Sequence, residues 1–190
     1  MPLDRQSFFE VMASFPSGVA IVTTVMADGT PRGLTTTAVS SVSADPPTIL
    51  VCVDLASRTL RGLRETRRFV VNFMAAGRSE LCLLFASTED DKFARVSWRR
   101  TADGLPFLHE DVLAWAECST IHELEIGDHV LFVGRVDDGG VQPALEPPLL
   151  YYRRSWGVWS PTQDTTEQEP VPIAAIEVSG RDLRWQGAEF

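Results

Sequence analysis

The sequence has almost no lysine. Lys92 stands alone among 17 basic residues, the others being arginine, against 26 Asp and Glu, and the formal net charge is −9. A broad nucleic-acid or anionic-membrane surface needs basic excess, so this balance excludes one and leaves only local basic pockets. Cysteine is scarce too. Cys52, Cys82 and Cys118 are an odd number, lie far apart in apolar runs and form no CxxC. That pattern argues against a disulfide framework and a metal site, and predicts buried free thiols in a cytoplasmic protein. No run reaches the roughly 18 apolar residues of a membrane span. The opening Met-Pro-Leu-Asp-Arg-Gln leads into no apolar segment, so no signal peptide is expected. No GxGxxG is present, which removes sequence support for a Rossmann domain.

What is present is patterned for a mainly β domain. The 190 residues suit one domain with an accessory tail. Phe8, Val11, Met12 and Phe15 recur at helical spacing behind Asp4, a candidate cap, and predict a helix over 4–15. "VAIVTTV" (19–25) is β-branched and strand-like, and Asp28-Gly29 marks a hairpin. "TILVCVD" (48–54) reads as a strand buried on both faces. Short helices are expected at 57–65 and 79–86, and strands at 68–74, at 129–138 ending in a Gly139-Gly140 turn, and at 148–159. These elements do not alternate strictly. The pattern favours an antiparallel barrel, Greek-key-like, with peripheral short helices. The domain is drawn at 1–159. "SPTQDTTEQEPVP" (160–172) is a polar linker, and "IAAIEV" (173–178) could return as an edge strand.

Four stretches could carry chemistry. The first, Gly33 to Ala44, holds no charge and six hydroxyls, on Thr35, Thr36, Thr37, Ser40, Ser41 and Ser43. Neutral donors and acceptors in a row suit the polar edge of a flat heteroaromatic ligand; a polar edge strand rich in threonine for its β-propensity reads the same way. In the second, "DLASRTLRG" (54–62), a strand turns straight into a helix, placing Ser57, Arg58 and Thr59 beside free backbone N–H groups. That suits a phosphate, and an ordinary helix cap with a solvated arginine also accounts for it. The third is Lys92 within "FASTEDDKF" (85–93), either a point charge for a phosphate or a surface residue. The fourth is Gly127-Asp128-His129 at the mouth of an apolar strand. There a histidine can bond a ligand amide, move a proton, or merely hold a nearby carbonyl. His109 and His122 lack such a context.

In order, "FPSGVAIVTT" from Phe15, "DGTPRGLTTTAVSSVSADPPTILVCVD" from Asp28, "SRT" from Ser57, "FVVNFM" from Phe69, "DDKF" from Asp90, "AWAEC" from Ala114, "GDH" from Gly127 and "PLLYY" from Pro148 resemble the flavin reductase family. The likeness spans about residues 8–155, and the sequence especially resembles reductases of actinomycete antibiotic pathways. It implies an FMN-binding split β-barrel, a homodimer, and FAD or FMN as the flavin, with NADH as co-substrate. It also implies a partner monooxygenase, served by diffusion of the reduced flavin. Carried over position by position, the flavin contacts would be Thr35, Thr36, Thr37, Ala38, Ser40, Ser41, Ser57, Arg58, Thr59, Ser87, Lys92 and Phe93. The nicotinamide contacts would be Asp128, His129 and Tyr152, with His129 the catalytic residue. Thr37 and Ala38 depart from the Asn or other polar residue and the Ser often found at those places. Acidic Glu123, Glu125 and Asp128 favour NADH over NADPH. A flavin carrier without turnover and a single-component oxidase are the competing readings.

Overall fold

The computed structural model describes residues 2–143 and 146–160. Along the chain run α1 (Arg5–Ala13), β1 (Ser17–Gly18), β2 (Ala20–Val25), β3 (Pro31–Thr36), β4 (Val39–Ala44), β5 (Pro47–Asp54), α2 (Thr59–Thr66), β6 (Arg68–Met74) and α3 (Ser79–Ala86). A 3-10 turn (Lys92–Arg95) follows, then β7 (Arg99–Arg100), β8 (Pro106–Phe107), β9 (Val112–Ile126), β10 (His129–Val141), β11 (Leu149–Tyr152) and β12 (Ser155–Val158). The main sheet is antiparallel, with seven strands in the order β3-β2-β6-β9-β10-β5-β4.

That order dictates the shape. β3 and β4 are the two outermost strands, yet only Thr37 and Ala38 separate them. Laid flat, seven strands would hold their edges about 29 Å apart, whereas three Cα steps span at most about 11 Å. The sheet must therefore curl until its edges nearly meet. No ladder joins β3 to β4 among the described residues, so the barrel is split at Thr37–Ala38. The Cys52 N–H donates to the Ala38 carbonyl (3.0 Å), which carries the β4–β5 pairing one residue into the corner.

Two cores hold this arrangement. Val22, Val51, Val53, Phe69, Val71, Cys118, Val130 and Phe132 fill the barrel, with Leu60 and Leu63 of α2 packed among them. Ile21, Met74, Cys82, Phe85, Phe93 and Leu108 form the second. β2 carries Val22 into one core and Ile21 into the other, which is why its sequence is a continuous apolar and threonine run. Asn72, fully buried between them, donates to the Ile21 carbonyl (2.9 Å) and accepts from the Leu108 N–H (3.0 Å).

Several expectations are met residue for residue. Asp4 caps α1, accepting from the Gln6 and Ser7 N–H groups at 3.0 and 3.1 Å. β6 and α3 fall at 68–74 and 79–86. Others need correction. β5 is buried on one face only: Val51 and Val53 point inward, while Leu50 and Cys52 are half-buried, because α2 and α3 pack on β2 and β3 instead. Gly139-Gly140 is no turn. Both lie in β10 opposite Ala116 and Trp115, and a Cβ on Gly139 would stand 2.7 Å from the Trp115 carbonyl oxygen, so glycine serves close strand approach. Residues 149–158 form a hairpin, β11–β12, turning at Arg153-Arg154, and with β1 they make a separate three-stranded sheet. The polar linker and the returning strand fall, beyond Ser160, outside the described residues.

Candidate functional site

The hydroxyl stretch straddles the split. Thr35 and Thr36 end β3, Thr37 and Ala38 form the corner, and Ser40, Ser41 and Ser43 lie on β4. Not all of these groups are available to a ligand. Thr35 donates to the Cys82 carbonyl (2.6 Å), tying β3 to α3. Thr36 accepts from the Ala38 N–H (3.0 Å), which shapes the corner. Ser40 donates to the Ser41 carbonyl (3.2 Å) and Ser43 folds back on Asp45. Part of the hydroxyl content thus builds the seam itself.

Beside the seam opens a cleft of about 470 Å³, roughly the space of a mid-sized organic ligand. One wall is the end of β3 with Thr35 and Thr36. A second is the Ser57–Arg58–Thr59 entry into α2, and a third carries Ser87 and Lys92. His129 stands at its rim, paired in register with Asp54. The sequence-separated stretches around residues 35, 58, 87, 92 and 129 therefore converge on one cavity.

Its polarity is graded. Toward β3 the groups are neutral. Toward α2 and the 3-10 turn they are charged: Arg58 and Lys92, with the Asp54 carboxylate at the end of β5. The Arg58 guanidinium is committed to the 88–90 loop: it pairs with Asp90, donates to the Thr88 carbonyl, and donates to the Glu89 carbonyl at 3.0 Å. Arg58 thus positions the loop, its charge already balanced. Lys92 is different. It is 9% exposed, its Nζ donates to the Phe85 carbonyl at the end of α3 (2.7 Å), and no carboxylate among the described residues pairs with it. Burial, then the neighbouring Arg58, holds its pKa below the ordinary lysine value. A buried ammonium without a counter-ion at a cleft wall suits an anionic ligand group. Lys92 is thus no surface residue.

Ser57 accepts from the Thr59 N–H (3.3 Å) and lies at the start of α2, near the position expected of a cap. Ser87 ends α3, donating to the Leu84 carbonyl (2.8 Å). The His129 Nδ1–H donates to Asp128 Oδ1 (2.7 Å), which leaves Nε2 as the acceptor when the ring is neutral. That bond, with the charge of His129, holds the Asp128 carboxyl below the usual range.

The remaining expected residues lie elsewhere. Phe93 belongs to the core, edge-on to Phe85 and Trp98 at 5.2 and 5.5 Å. Thr37 faces a second cavity, beyond the seam. Tyr152 sits on the separate three-stranded sheet, and one chain does not bring it to His129. Glu123 and Glu125 share one partner, Arg64, so the acidic field expected near His129 is reduced by one charge and stays negative. Eight wall residues were not among the expected contacts: Cys52, Asp54 and Phe85, with Gly33, Leu34, Ala56, Ala86 and Thr88. The first two had a signal. Along β5 they alternate with inward Val51 and Val53, and period two puts them on the other face. Burial raises the other two thiols, Cys82 and Cys118, to about 12.

Comparison with known proteins supplies the context. Residues 12–160 match the model of the flavin reductase like domain. A flavin reductase (NADH) of Kitasatospora aureofaciens is 40% identical over 174 residues, 91% of this chain and 91% of that one. A flavin reductase (NADPH) of Lentzea aerocolonigenes is 39% identical over 80% of this chain and 88% of its own. Among solved structures, the NADH:FAD oxidoreductase SgcE6 of Streptomyces globisporus C-1027, in complex with NAD and FAD fragments, superposes with a TM-score of 0.78 at 30% identity, covering 85% of this chain and 96% of that one.

Proposed function

The chain belongs to the flavin reductase family, and from that premise we propose that it is an NADH-dependent flavin reductase that reduces free FAD or FMN for a partner monooxygenase. The observation that carries the site assignment is the graded cleft. At the β3 edge, Thr35 keeps an acceptor lone pair and Thr36 its O–H donor after their internal bonds, which suits the polar rim of an isoalloxazine ring. The Lys92 end, with Ser57 and Thr59 at the start of α2, suits the flavin phosphate. The donor set therefore fits the group. When bound, the flavin supplies the hydride-accepting centre, and the chemistry is its own.

The protein's part is placement and electrostatics. Lys92 offers a desolvated positive charge to the phosphate. Arg58 fixes the 88–90 loop that bears on the same end of the cleft. His129 presents Nε2 at the open rim, oriented by Asp128, where it accepts a hydrogen bond from the nicotinamide amide or holds a proton. No Cys or His occurs from Gly33 to Ala44, the wall assigned to the ring; Cys52 and His129 line other parts of the same cleft. Delivery of the reduced flavin by diffusion belongs to the same reading.

We also propose a homodimer. Phe8, Phe9, Val11, Met12 and Phe15 of the α1 region, with Tyr152 and Trp159, are exposed in one chain, a density of apolar side chains suited to an interface. A second chain is the route by which Tyr152 would reach a cleft. The experiment is steady-state NADH oxidation in air with and without added FAD or FMN. Oxidation that depends on added flavin supports the reductase. Tight flavin binding without NADH oxidation would make the protein a carrier.

A further inference from the structure

β3 forms one wall of the flavin cleft from Gly33 to Thr36. Side chains alternate along a strand, so Arg32, Leu34 and Thr36 share one face. Leu34 and Thr36 line the cleft. Arg32, the next position in that row, lines a second and smaller space of about 20 Å³. The two spaces are contiguous, because Gly33, Arg58, Thr59 and Lys92 belong to the walls of both. A strand rises about 3.3 Å per residue, which puts Arg32 about 13 Å from Thr36. A ligand with its ring at Thr36 and a phosphate at Lys92 therefore reaches Arg32 only by continuing past that phosphate.

The charges around the small space do not cancel. Three cations, Arg32, Arg58 and Lys92, face two carboxylates, Glu89 and Asp90. Both carboxylates already have partners: Asp90 pairs with Arg58, and Glu89 with Arg95, which is not part of this wall. Lys92 feels the excess. Beyond burial, the charges of Arg58 and Arg32 both lower its pKa, against Glu89 and Asp90, which raise it. Arg32 is half-buried, and its Nη1 donates to the Asp90 carbonyl over a long 3.4 Å, so most of its guanidinium donors stay open. A space of this size holds about one water-sized group. That suits one phosphoryl oxygen offered to Lys92 and Arg32 together, with the rest of a nucleotide outside.

The two flavin nucleotides differ at this point. FMN ends at its single phosphate, whereas FAD continues through a second phosphate to adenosine. We propose that Arg32 holds the second phosphate of FAD and thereby makes the protein prefer FAD to FMN. This rests on the flavin reductase reading and deepens it, from flavin nucleotides in general to the dinucleotide. Arg32 serves binding and selectivity and takes no part in hydride transfer.

The test is titration of FAD, FMN and riboflavin by fluorescence quenching in the wild type, R32Q and R32K. R32Q should weaken FAD at least about tenfold and leave FMN and riboflavin within about twofold. R32K should recover part of the FAD loss. Retained FMN binding shows that the variant is folded. K92M gives the contrast, since it should weaken FAD and FMN together. Unchanged FAD affinity in R32Q overturns the proposal. Equal losses for FAD and FMN, with riboflavin spared, put Arg32 on the first phosphate and overturn it. Loss of all three flavins gives Arg32 a structural role and overturns it too. The reductase reading fails separately: flavin that binds the wild type without supporting NADH oxidation refutes it, and the R32Q titration still reports on Arg32.

Discussion

Replacing Lys92 with methionine keeps the length of the side chain and removes only its charge and donors. Two effects follow. The Phe85 carbonyl loses its partner at 2.7 Å, a cost offset by no longer burying an ammonium without a counter-ion. Stability should therefore change little near neutral pH. The ligand effect is larger. A charge-assisted hydrogen bond to phosphate contributes about 1.5–3 kcal/mol, so affinity for FAD and FMN should fall by roughly 10- to 150-fold. Riboflavin carries no phosphate and should bind as before. The pH dependence has a definite sign. Binding of phosphorylated flavin is supported while Lys92 is protonated and is lost as pH rises through a pKa held below the ordinary lysine value. Folding stability moves the other way. The unfolded chain keeps that proton longer, so the cost of the buried charge is relieved as pH rises over the same window. Titration of the three flavins by fluorescence quenching, with thermal melts at two pH values, reads both effects. Equal losses for riboflavin and FMN, or no loss for either, would refute the assignment of Lys92 to the phosphate.

Three further outcomes are expected. His129→Ala should raise the KM for NADH or lower kcat with flavin affinity nearly unchanged; collapse of flavin binding with unaltered NADH kinetics would put the wrong ligand at that rim. Gly134→Ala should destabilise the fold by about 1–3 kcal/mol, since its Cβ would stand 2.6 Å from the Phe69 ring and 3.0 Å from Cys118; a denaturation midpoint equal to wild type would contradict the packing described for the barrel. Light scattering at micromolar concentration should give the mass of two chains, and a fully active monomer would refute the dimer.

The strands and helices were legible because their signals are local. Apolar alternation, Asp28-Gly29 and the Asp4 cap each speak to a few residues. The split barrel was not legible from pattern alone. It follows from β3 and β4 being outermost strands joined by two residues, and strand order is a non-local property. Gly139-Gly140 misled for a related reason: a glycine pair signals a turn or a close approach equally well, and the partner strand at Trp115 decides. At the site, the matching motifs located the hydroxyl corner, Ser57–Thr59, Lys92 and His129. Their convergence on one cleft depended on packing. So did the internal use of Thr35 and Thr36, the capture of Arg58 by the 88–90 loop, and the pairing of Glu123 and Glu125 with Arg64. No one-dimensional pattern reveals which polar groups a fold has already satisfied.

The central claim is that free flavin is reduced at this cleft and leaves it. Anaerobic mixing of NADH and a large excess of FAD with a catalytic amount of the protein tests it most directly, followed by loss of the flavin's visible absorption. The account predicts that each chain bleaches many equivalents of flavin. Bleaching that stops at one equivalent per chain would contradict it.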